Sequence, residues 1–126
     1  NAVSMALHHK LCHVLGGGFD LPHAETHTIV LPHATAYNAP AAPDAMARLA
    51  RVLDVSDPAQ GLFALNQRLG VPTALKDIGM PEGGITKAAH TAVANPYWNP
   101  RPLKEDLLRE LITDAYAGHP PRGKSI

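Results

Sequence analysis

Six of the eight histidines in this 126-residue chain fall within residues 8–33. His9 and His13 stand in Leu7-His8-His9-Lys10-Leu11-Cys12-His13, and His23 and His27 in Pro22-His23-Ala24-Glu25-Thr26-His27. Both pairs are spaced i,i+4, which on a helix puts two imidazoles on one face, a turn apart. Two such helices folded back on each other would bring the rings into one small volume, as helical proteins do when they build metal or polar-ligand sites. A single histidine on an amphipathic helix is as readily a half-buried side chain with one hydrogen-bond partner. Four together favour a site, because burying several imidazoles costs desolvation. Neutral imidazole suits zinc or iron at about 2.0–2.1 Å, with oxygen donors completing the shell. The zinc-protease pattern is absent, since Glu25 takes the third place in its motif and faces away from His23 and His27.

The other reactive groups weigh less. Cys12 is either an activated thiol or a packed core residue, and with no second cysteine or evident base beside it, packing is favoured. The triple glycine at 16–18 follows a helix and lacks a Lys-Ser/Thr partner, so it reads as a helix stop and not as a phosphate loop. His33, His90 and His119 look incidental. Tyr97 and Trp98 are expected to pin a loop, and Lys10 and Arg101 are lone surface cations that usually do nothing specific.

Helix formers dominate the elements that must position these groups, and no run alternates long enough to read as a strand, so the expected fold class is all-α. A first helix is expected from residue 2 to about 16, ended by the glycines. A second follows Asp20-Leu21-Pro22, with Asp20 as its cap and Pro22 in its first turn. Pro32 should kink that helix or be compensated locally, and Asn38-Ala39-Pro40 closes it. A third opens at Pro43 with Met46, Leu49, Val52 and Leu53 on one face. Ser56-Asp57-Pro58 caps a fourth, with Leu62, Leu65 and Leu69 in helical spacing before Gly70. After a connector with one short turn come a fifth helix from Ile85 to about Asn95, a proline-stiffened loop over 95–102, and a last helix from about Lys104 to Tyr116.

Eleven basic residues balance eleven acidic ones, which leaves no electrostatic footprint for nucleic acid or an anionic membrane. No stretch approaches the roughly 18 apolar residues of a membrane span, and no signal-peptide pattern opens the chain. A single cysteine rules out an internal disulfide and suits a reducing cytoplasm. Asn1 to Leu7 is uncharged and runs straight into the histidines in helical period. We therefore expect one helical domain over 1–126 that is a fragment of a longer protein or needs a missing half.

The segments Ala6-Leu7-His8-His9-Lys10-Leu11-Cys12-His13-Val14-Leu15-Gly16-Gly17, Leu21-Pro22-His23-Ala24-Glu25-Thr26-His27 and Ile29-Val30-Leu31-Pro32-His33 resemble the helical C-terminal domain of the iron-containing alcohol dehydrogenase family, which has the dehydroquinate synthase-like fold. The doubled histidine and Lys-Leu-Cys-His resemble the maleylacetate reductase branch more than the alcohol dehydrogenases' His-Gly-x-x-His. Asn99-Pro100-Arg101-Pro102 also matches. The resemblance spans essentially the whole chain, is carried chiefly by residues 1–38 and implies a C-terminal fragment.

That resemblance implies a reductase of aromatic-compound catabolism that uses NADH or NADPH to convert maleylacetate, a small dicarboxylate, to 3-oxoadipate. It implies iron or zinc ligands at His9 and His23 where a metal is used, with an Asp and a His supplied by a preceding region that this chain lacks. Maleylacetate reductases typically carry Asn in place of that Asp, which leaves His13, His23 and His9 as candidate catalytic groups in their own right. The resemblance also implies that His13 is the position beside the nicotinamide and substrate. The dinucleotide is bound mainly by an N-terminal domain absent from this chain, so the chain alone is expected to be inactive, and family members are commonly homodimers. Two alternatives stand beside this reading: the C-terminal domain of a metal-dependent alcohol dehydrogenase, and a non-enzymatic His-rich module that binds a metal or a protein partner.

Overall fold

The computed structural model describes residues 2–94, 101 and 103–121, leaving aside the side chains of residues 2–6 and of His9. The described residues form six α-helices and no strand. The all-α expectation therefore holds.

Leu7, Leu11 and Leu15 recur at i,i+4 and are fully buried, and they turn helix α1 (Ala2–Phe19) toward the core. The triple glycine does not end this helix, contrary to the expectation from sequence. Glycine costs only about 1 kcal/mol per residue in a helix. Here Leu15 before the glycines is buried and Phe19 after them packs on the same core, so the last turn is held at both ends. The stop comes at Asp20, which is left-handed at φ 56° and donates its N–H to the Gly16 carbonyl at 3.0 Å, an αL cap built without glycine. Asp20 therefore closes α1 and does not cap the next helix. That cap position belongs to Pro22, whose carbonyl accepts from the Thr26 N–H at 3.0 Å and the Thr26 hydroxyl at 2.6 Å.

Helix α2 (His23–Asn38) is the centre of the domain and packs on α1, on α4 (Pro58–Leu69) and on α6 (Glu105–Ala117). Buried Pro32 lies inside it. A proline has no N–H, so the Thr28 carbonyl loses its helical donor. Compensation comes from another helix and not locally: Asn66 Nδ2 on α4 donates to that carbonyl at 3.0 Å.

After a short 3-10 turn at Ala39–Ala41, helix α3 (Pro43–Leu53) stands at the periphery, burying only Ala45 and Met46 in a small separate cluster. Val52 is 80% exposed; the single apolar face expected there is not fully covered because α3 packs chiefly on α4 and the preceding turn. On α4, Asp57 Oδ1 accepts the Ala59 and Gln60 N–H groups at 3.0 and 3.2 Å, and Gly70 at φ 75° ends the helix, both as read from sequence. Leu69 is a further correction at 66% exposed. The stripe that α4 buries runs through Pro58, Ala59 and Phe63.

A 3-10 turn at Leu75–Ile78 leads to α5 (Gly84–Ala94), whose Ala88, Ala89 and Ala92 let it lie close to α6 and α1. Of the loop over 95–102 only Arg101 lies among the described residues, so the reading of Tyr97 and Trp98 falls outside them. Among the described residues no helix is long and apolar enough to cross a membrane.

Candidate functional site at the α1–α2 seam

His8 and Cys12 follow the buried leucines of α1 by one position each and are buried with them, both 5% exposed. Across the seam stands half-buried His27 of α2. One potential ligand atom from each of His8, Cys12 and His27 lies within 4.8 Å of the other two. His8 Nε2 is 3.1 Å from the His27 carbonyl. A carbonyl only accepts, so Nε2 carries the proton and Nδ1 the lone pair.

The rings form a row. His8 meets His27 edge-on with centroids 5.0 Å apart, and His27 meets His23 at 4.1 Å. The row leads from buried His8 through half-buried His27 to exposed His23. His13 is exposed on α1, as is Glu25 on α2. His9 belongs to α1, and its side chain lies outside the described residues. The structure thus brings together His8, His27 and His23. His8 was the partner that spacing alone did not single out, because residues 9/13 and 8/12 are both i,i+4 pairs. The Leu7-Leu11-Leu15 stripe carried the missing signal, since it places positions 8 and 12 on the inward side.

Desolvation pushes the Cys12 thiol up to about 12. The thiol is therefore protonated and packed, not activated.

A second group of ionisable residues surrounds His33, which is 2% exposed and is no incidental surface histidine. Burial pushes its pKa down to about 4, and this outweighs the opposing pull of the Asp114 carboxylate. Its Nε2 has no hydrogen-bond partner among the described residues. His33 lines a cavity of about 50 Å³ with Tyr37, Arg101, Glu110 and Asp114. Arg101 is no free cation: its guanidinium stacks 4.5 Å above the Tyr37 ring and donates to the Tyr37 carbonyl at 2.9 Å. The Tyr37 hydroxyl accepts the Lys104 N–H at 3.2 Å. His90 and His119 reach Glu105 and Asp114 at 3.4 and 3.6 Å.

A six-helix domain with a histidine seam between its first two helices has known relatives. Residues 1–116 match the Fe-containing alcohol dehydrogenase family, C-terminal, and the chain belongs to that family. It is 58% identical over 120 residues to a maleylacetate reductase of Burkholderia cepacia, a match that covers 95% of this chain and 34% of the relative. The crystal structure of maleylacetate reductase from Agrobacterium tumefaciens superimposes with a TM-score of 0.88 at 46% identity, over 92% of this chain and 33% of that one. The iron-containing alcohol dehydrogenase from Corynebacterium glutamicum is more distant, with a TM-score of 0.79 at 38% identity over 94% of this chain and 32% of that one. The chain spans about a third of the length of the curated relatives it matches.

Proposed function

We propose that this domain is the substrate-side part of an NAD(P)H-dependent reductase that converts maleylacetate to 3-oxoadipate. Support comes from the likeness to maleylacetate reductases, 58% identity to that of Burkholderia cepacia and 46% to that of Agrobacterium tumefaciens, against 38% to the iron-containing alcohol dehydrogenase of Corynebacterium glutamicum; a solved protein of Ralstonia eutropha described as a putative alcohol dehydrogenase is also 58% identical. The carrying observation is that His13 on α1 and His23 on α2 are both exposed, while His8 of α1 is buried. Two imidazoles of the seam helices are therefore left open.

The remaining two thirds of the relatives' length is the proposed home of the dinucleotide-binding domain. When bound, the dinucleotide supplies the hydride. Maleylacetate carries a keto group conjugated to its double bond, so hydride addition builds negative charge on the carbonyl oxygen. His13 and His23 hydrogen-bond to that oxygen and stabilise the enolate-like transition state. One of them then delivers the proton that completes the reduction, with His9 in support. His23 is well suited to hold such a geometry, because its ring rests on His27, which is braced in turn by His8.

A catalytic iron or zinc does not fit this donor set by itself. His9 and His23 would fill half of a four-coordinate shell, and no step above runs through a metal. The homodimer and the cytoplasmic setting belong to the same reading; the first rests on the resemblance and the second on the single cysteine.

The test is to add maleylacetate to the whole protein and follow NADH and NADPH oxidation. Loss of reduced dinucleotide with formation of 3-oxoadipate is expected. Iron-dependent oxidation of a simple alcohol in its place would establish the alcohol dehydrogenase reading. No turnover of either substrate would leave the His-rich binding module.

A further inference from the structure

The geometry points to a binding site for a zinc-class divalent cation formed by one ring nitrogen of His8, Cys12 Sγ and one ring nitrogen of His27, beside the proposed catalytic histidines and sharing none of them. The donors are two imidazoles and one sulfur within 4.8 Å of one another. In a tetrahedral zinc shell, donors about 2.0–2.3 Å from the ion stand roughly 3.2–3.8 Å apart. Bringing the donors to that spacing takes a movement of about 1 Å. The set has no carboxylate or carbonyl ligand, which selects against magnesium and calcium and for a borderline or soft ion.

The hydrogen bond at His8 strengthens the case. A histidine that binds a metal through one nitrogen ordinarily donates its other N–H to a carbonyl or carboxylate, which fixes the tautomer and the ring plane. His8 Nε2–H already donates to the His27 carbonyl at 3.1 Å, and that leaves the Nδ1 lone pair as the ligand. His8 and Cys12 are an i,i+4 pair on one helix, so their spacing is set by α1 itself. His27, half-buried, is the way in from solvent. Binding replaces the Cys12 S–H bond with a sulfur–metal bond and releases one proton to solvent, so a protonated thiol is the expected state of the empty site. The fourth coordination position is left to water.

The experiment uses the whole protein, stripped of metal, with zinc and cobalt as probes. One equivalent of cobalt should give a thiolate-to-metal charge-transfer band that disappears in Cys12→Ser and persists in His23→Ala. His27→Ala should weaken zinc binding at least tenfold, with helical circular dichroism unchanged. Zinc added to the unmutated cobalt-loaded protein should displace the band, which needs no variant. Absence of the band in the unmutated protein, its survival in Cys12→Ser, or its persistence when excess zinc is added would each overturn the site.

Discussion

Asn66 completes a hydrogen bond that Pro32 takes away: its side-chain amide meets the Thr28 carbonyl at 3.0 Å across the α2–α4 contact. Truncating Asn66 leaves that carbonyl without its donor, at a cost of about 1–3 kcal/mol. Pro32→Ala would restore the backbone N–H. In that background Asn66→Ala should cost less, with a coupling of at least about 0.5 kcal/mol in a double-mutant cycle. Denaturant midpoints of the four proteins measure it, and strict additivity would show that Asn66 contributes nothing through this bond.

His33 should make stability depend on acid. Its folded pKa of about 4 lies below the ordinary 6.5, so the unfolded chain takes up the proton first. The contribution is therefore present in full above pH 6.5 and is lost as the pH falls toward 4, on the order of 3 kcal/mol over that window. His33→Gln should flatten this part of the profile, as read by urea unfolding at a series of pH values.

The glycines of α1 should behave oppositely to the one that opens α5. An added Cβ at Gly16, Gly17 or Gly18 meets nothing within 4 Å, and each is helical, so Gly17→Ala should stabilise the domain by about 0.5–1 kcal/mol. At Gly84 a Cβ would stand 2.5 Å from Phe19 Cζ. Gly84→Ala must displace that ring and should cost about 1–3 kcal/mol. Thermal melts of the two variants should move in opposite directions.

Replacing His13 with Ala in the whole protein should lower turnover of maleylacetate at least tenfold while thermal stability stays within about 0.5 kcal/mol, because the side chain is exposed. Steady-state kinetics beside a melting curve separates the two effects. Unchanged turnover would remove His13 from the mechanism.

Much of the fold was legible because its signals are local. Asp57 before Pro58 and Gly70 after its helix mark boundaries through their own backbone chemistry, and the structure has them there. The failures occurred where a local preference met a distant contact. Gly16-Gly17-Gly18 looks like a stop only until Phe19 is seen docked beyond it. Pro32 announces a carbonyl without its helical donor, but nothing local in the sequence shows that Asn66, far along the chain, supplies it. Val52 keeps helical period, but α3 stands at the periphery, and Leu69 lies off the stripe that α4 buries against α2. At the seam, histidine spacing could identify the two helices involved and could not choose the inward face, which the leucines decide.

Tyr37 holds two points on the chain's return, the Arg101 side chain and the Lys104 backbone. The first of these contacts closes a span of 64 residues. A closure that long is entropically unfavourable to make early and adds little local reward until its surroundings exist. The clasp should therefore form late in folding, after α3, α4 and α5 have taken their places. Weakening it should speed unfolding while leaving the folding rate nearly untouched.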